Sequence, residues 1–211
     1  MFTNSKLFSY EEGITLNGDL VIYYRDYGPK DAEPILLVQG IGGQLINWPE
    51  HLIDFLLENN FRPIVYDNRD TGLSSRIPSD SFSDAKRDNT IVKNYIRYYL
   101  RLPIKSDYTL DDMAVDGILV LDKLDISEAH ILGISMGGMI AQIIVSSHPE
   151  RTKTFTLISS TASTPSPFNG PTRKVRKLLM NRTKNPNSTV DERVARSCLL
   201  YTSDAADEVS W

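Results

Sequence analysis

Ala129-His-Ile-Leu-Gly-Ile-Ser-Met-Gly-Gly-Met139 is the stretch whose reading decides the fold. It joins an apolar run, a Gly-x-Ser-x-Gly turn at Gly133, Ser135 and Gly137, and a small-residue start to a helix. A serine at a sharp strand-to-helix turn stands exposed above the sheet edge, with unfavourable backbone angles. Glycines two before and two after it leave room for the tight turn and for close packing of helix on strand. The amide after the serine, at Met136, points where an oxyanion would form. The pentapeptide alone recurs by chance. The apolar strand before it and the amphipathic helix after it make Ser135 a candidate nucleophile on a nucleophile elbow, rather than part of an ordinary glycine-rich turn.

Outward from the elbow, apolar strands alternate with helices. Ile14 to Tyr27 reads as a β-hairpin turned at Asn17-Gly18-Asp19, with Leu20, Ile22 and Tyr24 alternating with Val21, Tyr23 and Arg25. Pro34 to Val38 is a short apolar run that fits a doubly covered parallel strand, and it ends in Gln39-Gly-Ile-Gly-Gly43. Trp48 to Asn60 carries a helical stripe of Leu52, Ile53, Phe55 and Leu56. Pro63 to Tyr66 is a further strand, closed by Asp67-Asn-Arg-Asp-Thr-Gly-Leu-Ser74. Ile77 to Asp107 is less regular, with a short helix expected over Ile91 to Leu102. Thr109-Leu-Asp-Asp112 is a capping box with Asp in the glutamate position, and Met113, Gly117, Val120, Leu121 and Leu124 line one face of the helix it opens. After the elbow come a helix over Gly137 to His148, a strand over Thr154 to Ile158, a Ser/Thr/Pro-rich loop over Ser159 to Pro171 and a helix opening at Lys174. Strands alternating with helices at this spacing specify an α/β fold, a mostly parallel sheet with helices on both faces.

The composition agrees with one globular domain: 211 residues, 41% of them hydrophobic, with no bias. A net charge of −4 favours neither nucleic acid nor an anionic membrane as partner. No run approaches the ~18 apolar residues of a membrane span, and Met1 to Gly18 lacks the apolar core of a signal peptide. A single cysteine, Cys198, excludes an internal disulfide framework and a multi-cysteine zinc site. A soluble cytoplasmic protein without a metal is the expectation.

Three motifs, each at the end of a strand, now fall in one order: Gln39-Gly-Ile-Gly-Gly43, Asp67-Asn-Arg-Asp-Thr-Gly-Leu-Ser74 and Gly133-Ile-Ser-Met-Gly-Gly138. Together they resemble the α/β-hydrolase superfamily over about residues 14 to 180. Gly40-Ile-Gly-Gly-Gln-Leu-Ile-Asn-Trp-Pro49, Asp67-Asn-Arg-Asp-Thr-Gly-Leu-Ser74 and Ser135-Met-Gly-Gly-Met-Ile-Ala-Gln142 are similar to the esterase-type group that includes polyketide methylesterases of the aclacinomycin type. The resemblance implies that Ser135 is the nucleophile and that the Met136 amide is one oxyanion donor. The second donor would be the Ile41 amide, after Gln39-Gly40, where the family's usual His-Gly is replaced by Gln-Gly. The Asp67 to Ser74 stretch is read as structural, with Gly72 turning the chain and Arg69 tying neighbouring carbonyls.

A serine hydroxyl needs a base and a group that orients the base. In this fold the order is Ser, then Asp or Glu, then His. The chain has three histidines, His51, His130 and His148. His130 begins the strand that carries Ser135 at its far end, five residues and ~16 Å away. His148 lies thirteen residues along the following helix, ~20 Å off. His51 precedes the position a triad histidine takes. Residues 136 to 211 accommodate the elbow helix, one strand and the start of a cap, so the triad acid and histidine are expected outside this chain. The segment Cys198-Leu-Leu-Tyr-Thr-Ser-Asp-Ala-Ala-Asp-Glu208 breaks the preceding pattern and resembles the translation of a transposon-derived sequencing adapter. The expected organisation is therefore a hydrolase core over 1–165, the start of a cap over 166–197 and a non-native tail over 198–211, a fold incomplete at its C-terminus.

The function expected is a serine hydrolase that cleaves a small, relatively apolar carboxylic ester or lactone through an acyl-enzyme, with no cofactor. Ile41, Trp48 and Met136 would contact the substrate. The fragment itself is expected to be inactive. The same elbow serves haloperoxidases, lyases and carbon–carbon bond hydrolases, and a non-catalytic binding protein on this fold is a further alternative. A dehalogenase or epoxide hydrolase would need Asp where Ser135 stands. Oligomeric state is not legible.

Overall fold

The computed structural model of the chain describes residues 9–77, 97 and 106–161. The chain divides into one unit over Met1–Ser163 and another over Thr164–Trp211, and the elements below belong to the first. Of the helix expected over Ile91 to Leu102, only Arg97 is among the described residues. The helix expected at Lys174, the start of the cap and the tail after Ser197 lie outside them.

Six strands form one sheet: β1 (Tyr10–Asn17), β2 (Leu20–Tyr27), β3 (Glu33–Val38), β4 (Phe61–Tyr66), β5 (Ala129–Ile134) and β6 (Thr152–Ile158), in the spatial order β1-β2-β4-β3-β5-β6. The pairs β3–β4, β3–β5 and β5–β6 are parallel. The β1–β2 hairpin is antiparallel and joins β4 antiparallel. Three helices complete the described core: α1 (Glu50–Glu58), α2 (Leu110–Lys123) and α3 (Met136–Ser147).

The elements form where the residues dictate. Asn17 pairs with Leu20 across a two-residue loop, and Gly18 takes φ +61°, a left-handed conformation that costs glycine no steric clash. β1 starts at Tyr10, four residues before the apolar alternation begins. Tyr10 pairs with Tyr27, and the Arg25 guanidinium lies 4.3 Å from the Tyr10 ring centroid, so cross-strand contacts extend a strand the pattern alone ends sooner. Thr109 caps α2 as expected. Its hydroxyl accepts from the Asp112 amide at 3.3 Å, while the Asp112 carboxylate accepts from the Thr109 amide at 2.7 Å. These bonds hold the Asp112 carboxyl below its ordinary range.

The strand side chains alternate between two layers. Leu36, Val38, Ile64, Tyr66 and Ile131 face a cluster with Met113, Val120 and Leu121 of α2 and Ile140 and Ile144 of α3. Ile35, Leu37, Val65 and Leu132 face the other way, against Leu45, Trp48, Ile53 and Leu56. That period of two, buried on both sides, is why β3 reads as an unbroken apolar run. Helices thus cover both faces, and the carboxyl ends of β3, β4 and β5 converge on one edge, where their three loops meet.

Candidate active site

At that edge β5 ends and α3 begins within one residue, Ser135. Its backbone has φ 55° and ψ −122°, a conformation that L residues with side chains rarely adopt. The turn is this tight because its neighbours have no side chains. A Cβ on Gly133 would sit 2.6 Å from the Gly137 carbonyl carbon, and one on Gly137 would sit 2.6 Å from the Gln39 carbonyl oxygen. The Ser135 N–H donates to the Ile158 carbonyl at 2.9 Å, and its carbonyl accepts from Gly138 at 2.9 Å. Its side chain makes no capping bond to α3, which leaves the exposed Oγ uncommitted. The positive end of the α3 dipole adds a favourable potential for negative charge there.

The loop after β3 lies against the serine. A Cβ on Gly40 would be 3.1 Å from Ser135 Cβ and 3.6 Å from its Oγ. The Gly43 amide donates to the Gly40 carbonyl at 3.1 Å, and Gly42 takes φ +66° to close that turn. Among the described residues, neither the Ile41 nor the Met136 N–H donates to a protein acceptor. A developing oxyanion requires such unspent amides close to the attacking hydroxyl; Met136 follows Ser135 directly, and Ile41 follows Gly40, which stands against it. Gln39, in the place of the usual histidine, is buried, and its Oε1 accepts from the Gly40 amide at 3.3 Å.

The Asp67–Ser74 loop braces this arrangement. Asp67 is buried, and its Oδ1 accepts from the Leu45 amide at 2.7 Å while its Oδ2 accepts from the Leu73 amide at 2.9 Å. Gly72 leaves the room that carboxylate occupies, since a Cβ there would collide with it. Arg69 does something other than tie neighbouring carbonyls. It forms a two-pronged buried ion pair with Asp116 of α2, both bonds 2.7 Å, and reaches one distant carbonyl, that of Asp112, at 3.0 Å. Asn17 also donates to Asp116, at 2.8 Å. Tyr108 stacks under Arg69 at 5.2 Å, and burial, reinforced by Asp70, pushes its phenol up to about 12.

The substrate-contact candidates are placed differently from one another. Ile41 is 69% exposed on the loop beside Ser135. Met136 is half-buried against the α2–α3 layer. Trp48 is buried in the α1 layer, in the cluster that also packs Leu132 and Ile134, and its Nε1 has no hydrogen-bond partner.

All three histidines lie away from the elbow. His51 is exposed on α1. His130 sits at the opposite end of β5, its Nδ1 2.7 Å from the Thr154 hydroxyl and its Nε2 3.7 Å from the Glu33 carboxylate. His148 caps the far end of α3, 3.8 Å from Glu150. Among the described residues, no group of three His, Cys, Asp or Glu side chains is placed to hold a metal ion. Among them, too, no helix is long and apolar enough to cross a membrane.

A strained serine between strand and helix, at the carboxyl edge of a mostly parallel sheet ordered β1-β2-β4-β3-β5-β6, defines the class of hydrolase folds with a nucleophile elbow. The α/β-hydrolase fold family model matches residues 33–207, and the chain belongs to that family. It is 30% identical over 158 residues to rhodomycin D methylesterase from Streptomyces peucetius, covering 75% of this chain and 41% of the relative. It is 26% identical over 145 residues to 3-oxoadipate enol-lactonase 2 from Acinetobacter baylyi, covering 69% of this chain and 43% of the relative. The chain thus spans less than half the length of either. Among solved structures, a hydrolase from Pseudomonas aeruginosa aligns over 99% of this chain and 64% of its own, at 22% identity and a TM-score of 0.57. The protein is an α/β-hydrolase with esterase-like relatives.

Proposed function

We propose that this chain carries the nucleophile half of a serine carboxylic ester hydrolase acting on a small, relatively apolar ester or lactone. The observation that carries the reading is Ser135 at φ 55°, with an uncommitted Oγ beside Gly40 and with the amides that follow Gly40 and Ser135, on Ile41 and Met136, unspent. Ser135 Oγ attacks the ester carbonyl, and the two amides hold the oxygen as it gains charge. Collapse expels the alcohol and leaves an acyl-enzyme, which water then hydrolyses. The base must take the Ser135 proton and later return it to the leaving alcohol. No histidine of this chain is in reach, so the base and its orienting carboxylate come from sequence outside these residues. Ile41 and Met136 would line the acyl pocket, with Trp48 supporting it from the core below. The relatives' printed activities, on a methyl ester and an enol-lactone, support the substrate class. The proposal includes a cytoplasmic setting, a small-molecule partner and no cofactor.

The first prediction tests this reading on two proteins. The 211-residue chain should hydrolyse a chromogenic short-chain ester no faster than its Ser135→Ala variant, because it lacks a base. The protein encoded by the parent locus, the gene from which residues 1–197 derive, read without the adapter-like tail, should hydrolyse it and lose that activity in Ser135→Ala. Ser135-dependent turnover by the short chain would overturn the assignment of the base. Absence of Ser135-dependent turnover in the longer product would overturn the hydrolase reading.

A further inference from the structure

We propose that Asn68 is a positioning residue for the oxyanion loop: its side-chain amide, 29 residues from the loop in sequence, aims the Ile41 N–H toward Ser135. Three hydrogen bonds fix two successive peptide planes. The Gln39 carbonyl accepts from Asn68 Nδ2 at 3.0 Å, and the N–H of that same peptide, on Gly40, donates to Gln39 Oε1 at 3.3 Å. The next carbonyl, on Gly40, accepts from the Gly43 amide at 3.1 Å. No described peptide bond is cis, so C=O and N–H of each plane point to opposite sides. Drawing the Gly40 carbonyl into the turn therefore drives the Ile41 N–H out of it, on a loop whose Gly40 stands against Ser135.

Two of those bonds lie within the loop and give it shape. Only the Asn68 bond ties the shaped peptides to another part of the protein. The loop's far end is gripped from the adjacent position, since Asp67 Oδ1 accepts from the Leu45 amide. Asp67 is itself anchored through its N–H to the Tyr23 carbonyl at 2.9 Å and through its carbonyl to the Ser74 hydroxyl at 2.6 Å. Residues 39 to 45, which continue from β3 at one end, are thus held by the side chains of two consecutive residues, Asp67 and Asn68, that follow β4. Asn68 is buried, yet its Oδ1 has no hydrogen-bond partner. A buried acceptor left unpaired costs free energy, so the side chain earns its place through its donor.

The catalytic consequence rests on the serine-hydrolase reading, whereas the grip on the loop does not, and the experiment separates the two. Asn68→Asp keeps the shape and removes the donor; Asn68→Ala removes it without burying a charge. In the full chain, amide hydrogen exchange at Gly43 and Leu45 should quicken about tenfold in both variants, with Leu36, Leu37 and Val65 unchanged. Where Asn68→Asp also loosens those strand amides, Asn68→Ala decides. Unchanged exchange at Gly43 and Leu45 with the strands still protected would overturn the proposal. In the ester-hydrolysing product of the parent locus, kcat per titrated Ser135 should fall about tenfold or more while KM stays within about twofold, since the Ile41 donor acts on the transition state. An unchanged kcat per titrated site would overturn it. A wild type without turnover would refute the hydrolase reading alone, and the exchange result would still judge Asn68.

Discussion

At Ser135 the backbone takes φ 55° and ψ −122°. Such a conformation costs of order 1–3 kcal/mol, and here Gly133 and Gly137 enforce it by letting backbone approach backbone on both sides. Glycine at the same position would relieve the strain at a backbone-entropy cost of roughly 0.5–1 kcal/mol. Ser135→Gly should therefore be more stable than Ser135→Ala by about 1 kcal/mol, read from urea unfolding midpoints. Both variants lose Oγ, so the difference isolates the backbone; an alanine variant at least as stable as the glycine one would refute the strain. The residues of the elbow were legible in sequence because only glycine fits where carbonyls come that close. Arg69 was not. Its partner, Asp116, is 47 residues away and interrupts the apolar face of α2, where local spacing offers no cue to a buried ion pair.

Among the elements, the loop between β4 and the following residues is the hub. Asp67 and Asn68 hold the loop after β3, Arg69 reaches α2, and Ser74 and Ser75 accept the Tyr23 and Val21 amides of β2 at 2.9 and 2.8 Å. Asp116, fully buried, closes the link to α2. Asp116→Asn leaves the Arg69 charge buried without its counter-ion and should cost about 3–5 kcal/mol in chemical unfolding. The paired replacement Arg69→Met with Asp116→Leu should recover most of that loss, because it removes both charges together. A single variant as stable as wild type would mean that water already compensates the pair. The strands and helices themselves were legible, since burial on alternate sides imposes a period of two and the Thr109 capping box marks a helix start by local chemistry alone. The short 3-10 turn at Leu45–Asn47 was not, because its stabilising contact comes from Asp67, 22 residues away. Trp48 packs below that turn for the same reason, in the core rather than at the surface.

Across the whole molecule, cover is uneven. β3 and β4 are buried on both faces, whereas β6, outermost of the six described strands, leaves Phe155, Leu157 and Ile158 more than a third exposed. An apolar edge strand invites pairing with another chain. The 211-residue protein should therefore self-associate with rising concentration, and Thr156→Lys, a charge on an exposed position of β6, should shift it toward monomer in light scattering. A wild type that stays monomeric would show the edge to be protected. His51, His130 and His148 are spread over a helix surface, the opposite sheet edge and a helix end, so none of the three stands at the Ser135 turn.

The strand order also bears on how the polypeptide is made. β3 pairs with β4 on one side, and β4 in turn receives the earlier hairpin, so the first four strands in sequence are also consecutive neighbours in the sheet. Every described strand after that adds to the same rim, β5 on β3 and then β6 on β5. From β3 outward, chain order and lateral order run the same way, so a chain that folds from its N-terminus finds a partner already synthesised for each later strand. The turn at Ser135 is completed from the strand made after it, because the Ser135 amide bonds to the carbonyl of Ile158, the last residue of β6.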